Sequence, residues 1–582
     1  MADYLDPALP TARRVEDLLS RMTVAEKAAL MFHPSTQPGP TPDDPAALAV
    51  AEEDAVVRGI SHFNVLGGED SAAVARWHNT IQEMAESTRL GIPITLSSDP
   101  RHGFRDNPFT GQALNSLSRW PETTGIAAIG TTDAARRYGE SIRREFLAMG
   151  IRVYLGPMAD IFSEPRWSRG FGTWGEHPSR VAEFTVAFIE ALRGGAELGP
   201  DSVAAVVKHF PGGGPQLRGD DAHDPRYPEQ VYPGGQQELH IEPFTRAFAA
   251  GVTQVMTYYG KPVGTAWPEV GFAFNEPVVQ GILRERLGFD GIVVTDWNLL
   301  ESTKVGGLDF GPNGWGLEDR TPVERTKIAL DAGVDQFGGD RNPALIEELV
   351  DGGLVPESRL DESVRRLLHE KFRLGAFEHR RVDVDEARAI CGSPELMEAG
   401  EEAQRESLVL VSRTDDTPIP PTARIFLDGL TADEADIPNE IVDDPKSADA
   451  IVVRLDAPYE NGRGSLGDFF RGGSLEFSAA QLDRLRSSAA IAPVHVAVFL
   501  ERPAVLGPLT EIAASVVGDF GASDARVLEA LTGRAAFTGT LPFDIPSSMA
   551  AVEASREDVP FDTAAPGFRF GHGIRTEVVV TV

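Results

Sequence analysis

Three apolar runs in this chain end in the same way, and that repetition constrains the fold more than any other feature. Gly291-Ile-Val-Val-Thr-Asp-Trp297 reads as a short buried strand that stops at a carboxylate and an indole. Val203-Ala-Ala-Val-Val-Lys-His-Phe-Pro-Gly-Gly-Gly214 runs from apolar residues into Lys208 and His209, then into a glycine-rich loop. Ile94-Thr-Leu-Ser-Ser-Asp-Pro-Arg-His-Gly103 reaches Asp99 in the same manner. A single carboxylate after a strand serves equally well as a helix cap. A Lys-His pair does not cap a helix, so the three ends together imply one shared polar site. In a parallel barrel the carboxyl ends of the strands are the face that displays such groups.

Strands and helical stretches alternate from residue 15 to residue 375. Strands are expected at 62–66, 94–98, 153–158, 203–208, 253–258, 292–295 and 334–337, with helices at 133–149 and 180–193 among them. Alternation of this length implies a β/α barrel. Thr23 followed by Glu26 has the spacing of a capping box at the opening helix. Residues 378–400 are poor in large apolar side chains and read as a connector. Beyond them strands are expected at 408–411, 425–427, 450–455, 494–499, 515–519 and 541–544, with a helix at 479–488. The expected fold class is α/β: an N-terminal (β/α)8-type TIM-like barrel (residues 1–377), a linker (378–400), a smaller open α/β sandwich domain (401–550) and a C-terminal tail (551–582) packing back on the domains.

At 582 residues the chain is long enough for two large domains. A formal charge of −34 argues against nucleic acid or an anionic membrane as the partner. No apolar run is long enough for a membrane helix, and Met1-Ala-Asp-Tyr-Leu-Asp6 lacks the basic start and apolar core of a signal peptide, so a cytoplasmic location is expected. Cys391 is the single cysteine and has no disulfide partner in the chain. His102, His209, His223 and His240 show no ligand spacing, so no metal and no other cofactor is expected. A homodimer is compatible with these properties.

Several segments carry a family resemblance. They are residues 15–27, Ser98-Asp-Pro-Arg-His-Gly103, Glu164-Pro-Arg-Trp-Ser-Arg169, Lys208-His-Phe-Pro-Gly212, Thr295-Asp-Trp297, Lys371-Phe-Arg-Leu-Gly375 and Phe570-Gly-His-Gly573. In these the chain resembles the glycoside hydrolase family 3 enzymes, the β-glucosidase and β-xylosidase group, in the family's order and over nearly the whole length. The resemblance implies an exo-acting retaining β-glycosidase, a β-glucosidase first, acting on a small carbohydrate or glycoside through a covalent glycosyl-enzyme. A β-xylosidase or α-L-arabinofuranosidase, a β-N-acetylglucosaminidase, and a sugar-binding relative without turnover are the alternatives. The chain stops soon after the tail, so the fibronectin-like domain of some relatives is expected to be absent.

Retention needs two carboxyl groups, or a carboxylate and another proton donor, on either side of the cleaved bond. The resemblance places the nucleophile at Asp296, with Lys208 and an arginine as the cations that keep it ionised. It assigns Asp99, Lys208 and His209 to the sugar hydroxyls and a guanidinium fork to Arg166 or Arg169. Trp297 is expected as an apolar wall under the sugar, and one of Tyr258 and Tyr259 as a partner of Asp296, with Tyr259 taken as the site residue. For the proton donor, Glu460 in Asp456-Ala-Pro-Tyr-Glu-Asn-Gly-Arg463 lies on a strand-end loop of the second domain, where functional residues collect. It could instead pair with Arg463; Asp456 and Glu476 are alternatives. Asp221-Ala-His223 is the rival, because the related β-N-acetylglucosaminidases take their proton from an Asp-x-His pair; otherwise these two bind substrate. Gly213 stands where that subgroup has His, and this chain keeps a full second domain; both favour a neutral sugar.

Overall fold

The computed structural model describes residues 2–39, 44–105, 116–305, 308–414, 418–432, 437–462 and 469–579. Nine short strands build the barrel: β1 (Phe32–His33), β2 (Ser35–Thr36), β3 (His62–Val65), β4 (Thr95–Ser98), β5 (Ile151–Tyr154), β6 (Ala204–Phe210), β7 (Gln254–Thr257), β8 (Ile292–Val294) and β9 (Phe337–Gly338). Strands β2 to β8 form one parallel sheet in sequential order. Strand β1 pairs with β9, Phe32 opposite Phe337, and a bridge from Val294 to Gln336 joins β8 to the start of β9. The ring is therefore closed by eight parallel strands, the first of them split in two. Pro34 makes the split, since it has no N–H to give to a ladder. This first strand was not among those expected, because two-residue pieces around a proline carry no period to read.

Every residue of β6 is buried, as parallel strands covered on both faces require. The helices expected at 133–149 and 180–193 are α2 (Thr132–Met149) and α3 (Pro178–Arg193), and the capping box of Thr23 and Glu26 opens α1 (Val24–Leu30). Helix α4 (Gln237–Ala249) follows the long loop after β6. Helix α5 (Glu357–Arg373) ties the amino ends of the strands together. Its Lys371 Nζ donates to Ser61 O (2.9 Å), Pro93 O (2.9 Å) and Thr95 Oγ1 (2.8 Å). Its Glu370 accepts from Thr253 and Gln254, both at 2.5 Å. The Lys371-Phe-Arg-Leu-Gly375 motif is thus a bolt across the barrel floor, away from the strand ends that carry Asp99, Lys208 and Asp296.

The second domain is a five-stranded sheet of β10 (Val409–Arg413), β11 (Ile425–Asp428), β12 (Ala450–Asp456), β13 (Val494–Phe499) and β14 (Ser515–Asp519) in the order β10-β14-β13-β12-β11. Only β10 runs antiparallel to its neighbour. Residues 378–400 are largely helical: Val384–Ile390 is one helix, and Pro394–Ser407 runs across residue 400 to the edge of β10. The strand expected at 541–544 is not a strand. Leu541 and Phe543 are buried, but Pro542 interrupts the ladder and its carbonyl accepts from Glu176 N–H of the barrel (3.0 Å). Phe543 packs edge-on against Phe162 of the barrel, with ring centroids 5.6 Å apart. This apolar run therefore seals the domain junction.

Glu176 completes that junction. Its carboxyl accepts from Asp544 N–H (2.8 Å) and from Phe561 N–H of the tail (2.6 Å). Burial pushes it from 4.5 up to about 8. Between those values the folded protein keeps a proton that the unfolded chain releases, so stability falls as pH rises through the window. Glu176→Gln is expected to flatten this decline, measured as denaturation midpoints of mutant and wild type from pH 4.5 to 8.

Candidate active site

A cavity of about 1850 Å³ lies at the carboxyl ends of the barrel strands, walled on one side by the second domain. Ordinary ligand pockets hold roughly 300–1,000 Å³, so there is room beyond a single sugar. Asp99, Lys208, Asp296, Trp297, Arg169 and His223 all line it. Barrel geometry explains the convergence: Asp99, Lys208 and Asp296 sit at, or just past, the carboxyl ends of β4, β6 and β8, and Arg169 and His223 come from the loops that follow β5 and β6 on the same face.

Asp99 follows β4 and Lys208 lies near the end of β6, and Lys208 Nζ donates to Asp99 Oδ1 at 2.9 Å. Asn64 Nδ2 on β3 donates to Asp99 Oδ2 at 3.3 Å. The Asp99 carboxylate is thereby fixed in direction, as an acceptor of paired hydroxyls must be. His209 is buried beside Lys208. Arg169 Nη2 donates to its Nε2 (2.9 Å), and its Nδ1–H donates to Asp160 Oδ2 (2.9 Å). Burial and the Arg169 charge hold the imidazole well below its usual range, so it is neutral. Burial also pushes Asp160 up to about 6, against the N–H groups of Gly213 and His209 that favour its charge.

Asp296 stands two residues past β8, and its side chain is 9% exposed. Its Oδ1 accepts from Trp297 N–H (2.9 Å). Its Oδ2 lies 3.8 Å from His209 Nε2 and has no hydrogen-bond partner in the protein. Arg169 Nη1 and Tyr258 Oη are likewise buried without one. Buried polar atoms are nearly always paired. Of these three side chains, Asp296 and Arg169 line the cavity and Tyr258 lies behind it, against His209.

The turn that aims Asp296 is held from both sides. Tyr259 Oη accepts from Trp297 N–H and donates to Trp297 O, both at 2.8 Å. Asn298 takes the left-handed conformation (φ 58°), which Asn tolerates. The half-buried Trp297 ring passes over β9, where a Cβ on Gly338 would lie 2.7 Å from it. Its indole N–H donates to Ser35 Oγ at 2.9 Å, the partner a buried tryptophan requires.

Asp221 and His223 form a dyad within the same cavity wall. Asp221 Oδ1 accepts from His223 Nδ1 (2.5 Å) and from His223 N–H (3.0 Å), and Oδ2 accepts from Trp167 Nε1 (3.3 Å). Burial opposes the charge of Asp221, but His223 and Arg169 outweigh it and hold the carboxyl down at about 2. With Nδ1 tied to Asp221, Nε2 is the nitrogen left for a ligand. The His223 ring is stacked on Phe470 of the second domain (4.7 Å between centroids) and packed on Tyr259 (4.4 Å).

Four expected site residues do not line the cavity: His209 and Asp221 are buried behind it and reach it through Arg169 and His223, while Arg166 and Glu460 stand elsewhere. Arg166 does not line the cavity, because its Nε and Nη2 are spent on Glu164 at 2.8 and 2.7 Å. The guanidinium that meets the site is Arg169. Glu460 is exposed and does not line the cavity; its Oε1 accepts from Ser474 N–H at 3.2 Å, against Gly473. The loop after β12 turns it outward, while Phe469, Phe470 and Arg471 further along that loop reach the cavity. Arg463 lies outside the described residues. Of the alternatives, Asp456 pairs with Arg105 and Arg471, and Glu476 accepts from Met549 N–H (2.9 Å). Asn64, Asp160 and Phe470 were not among the residues expected from sequence, and of the two tyrosines it is Tyr259 that lines the cavity. Asp160 had a usable signal, since it lies two residues past the expected strand at 153–158, whereas Asn64 falls inside the expected strand at 62–66.

The profile of the glycosyl hydrolase family 3 N terminal domain matches residues 50–369. The β-glucosidase C of Emericella nidulans is 42% identical over 582 residues, covering 99% of this chain and 94% of that protein. The chain belongs to glycosyl hydrolase family 3. A periplasmic β-glucosidase/β-xylosidase of Dickeya chrysanthemi is 36% identical over 98% of this chain and 91% of its own length. Among solved structures, a β-glucosidase of Erythrobacter marinus superposes with a TM-score of 0.81 at 21% identity, covering 99% of this chain and 84% of that one. A Listeria innocua β-glucosidase does so with 0.78 at 21% identity, over 97% and 83%. These last two confirm the fold: a TIM-like barrel followed by an α/β sandwich. The protein is thus a glycoside hydrolase of that family.

Asp99→Ala is expected to lower kcat/KM by roughly 10 to 10²-fold, the cost of one or two hydrogen bonds to a charged acceptor. Steady-state kinetics on an aryl glycoside, with a thermal melt to confirm folding, measures it.

Proposed function

We propose that this enzyme is an exo-acting retaining β-glucosidase whose nucleophile is Asp296 and whose proton donor is the Asp221–His223 dyad. The relatives named above as β-glucosidases support the sugar, and the name of the Dickeya relative keeps xylose as the competing substrate. Asp99, Lys208 and Arg169 hold the sugar hydroxyls, and His209, with both ring nitrogens already paired, orients Arg169. Asp296 Oδ2 attacks the anomeric carbon, and the bond to the leaving oxygen breaks as that oxygen takes the proton from His223 Nε2. Water then attacks the glycosyl ester; His223 takes its proton, and Asp296 leaves as carboxylate. Asp221 stabilises the imidazolium before the first step and after the second.

One observation carries the choice of donor: His223 shares the cavity with Asp296, its tautomer set by Asp221, whereas Glu460 stands outside. Glu460 keeps a second reading, because its own loop supplies Phe469 to Arg471 to the cavity wall.

Two experiments test this. A 2-deoxy-2-fluoroglucoside is expected to label Asp296, and Asp296→Ala to abolish turnover without unfolding; an unlabelled Asp296 sinks the mechanism. His223→Ala is expected to lose about 10²–10⁴-fold on alkyl glucosides, which need a proton, and far less on dinitrophenyl glucosides. If Glu460→Ala shows that selectivity and His223→Ala does not, the donor is Glu460. A panel of nitrophenyl glycosides ranks glucose against xylose.

A further inference from the structure

The loop between β6 and α4 carries Asp221 and His223 near its middle, and two consecutive residues of the C-terminal tail grip it on either side. Before the dyad, the Glu557 side chain accepts from Arg218 N–H (3.4 Å), while Glu557 O accepts from Ser163 Oγ (2.6 Å) of the neighbouring barrel loop. After the dyad, the Asp558 carboxylate accepts from Gly234 N–H and Gln236 N–H, both at 2.7 Å. Asp558 is fully buried, and its carbonyl accepts from His240 Nε2–H on α4 at 3.0 Å. The fit is close: a Cβ on Gly234 would lie 2.2 Å from Val559. The tail is itself anchored by Phe561 N–H on Glu176. Other bonds hold the loop's inner face, notably Trp315 Nε1 to Ala222 O (2.8 Å) and the pairing of Glu229–Val231 with Lys261–Val263. The loop also pairs with itself across the dyad, Gln216 Nε2 donating to Gln230 Oε1 (3.1 Å) and Val231 N–H to Pro215 O (3.0 Å), and Asp558 fixes the far end of that pairing where the chain enters α4.

Resting on the reading of His223 as proton donor, we infer that Asp558 is a positioning residue for proton transfer, clamping the loop so that His223 stays at its depth in the cavity. The buried carboxylate is well suited to this. Both oxygens are held by backbone N–H groups, so the loop cannot slide without leaving a buried charge unpaired, which costs more than a lost neutral bond. The chemistry is sensitive to such a slide, since a displacement of about 1 Å is worth about 10²-fold in rate.

Asp558→Ala is therefore expected to cut kcat/KM about 10²-fold on an alkyl glucoside and less than about 3-fold on a dinitrophenyl glucoside. Asp558→Asn keeps one acceptor oxygen and is expected to restore most of the loss. A residue that merely stabilised the fold would lower both substrates together. Equal loss on both, or no loss in a folded variant, overturns the assignment. If Asp558→Ala does not fold, Asp558→Asn is read alone: a smaller loss confined to the alkyl glucoside supports the clamp, and an unselective loss or none overturns it. His223→Ala run alongside separates the two claims. If it shows no leaving-group dependence, the donor reading has failed. If it does and the Asp558 variants do not, only the clamp has failed.

Discussion

One buried guanidinium organises the site. Arg169 has been taken out of water, which works against its charge, yet Asp221, Tyr258, Asp296 and Asp160 around it outweigh that cost and hold it cationic. The effect is reciprocal. The same charge helps keep Asp221 ionised, offsets the burial of Asp160 and keeps a proton off His209 Nε2. With Arg169 in place, the residues at the ends of different barrel strands act as a single electrostatic unit.

That unit explains why neighbouring side chains of similar type have different duties. Arg166 and Arg169 are three residues apart, but Arg166 is neutralised by Glu164 at once and does structural service at the Arg502 contact, where its carbonyl accepts at 3.1 Å. Tyr258 and Tyr259 are adjacent, yet Tyr259 lines the cavity and locks the Trp297 backbone, while Tyr258 is buried behind it against the His209 ring. In each pair the partner already present decides the role.

The barrel was legible in the sequence because its strands are buried on both faces and read as continuous apolar runs, from 94–98 through 292–295. The convergence of Asp99, Lys208 and Asp296 was legible for the same reason, since the carboxyl ends of such strands must lie together. Less was readable where position depends on long-range partners. Strand β1–β2 is invisible because Pro34 cuts it into two-residue pieces. The run at 541–544 is apolar enough for a strand but is claimed by the domain junction. The choice between Arg166 and Arg169 turned on Glu164, and the outward turn of Glu460 on Ser474, and neither contact is written in local pattern.

Asp296, Asp221 and His223 all belong to the barrel, whereas the second domain brings Phe469, Phe470 and Arg471 to the rim of the cavity. On the proposed mechanism the bond-breaking residues come from the barrel, while the second domain contributes only cavity wall. On that mechanism, substitutions at Phe469 to Arg471 would reshape the cavity wall while leaving Asp296, Asp221 and His223 in place. A lineage built on this plan can diversify its diet by drift in one domain without having to reinvent its chemistry in the other.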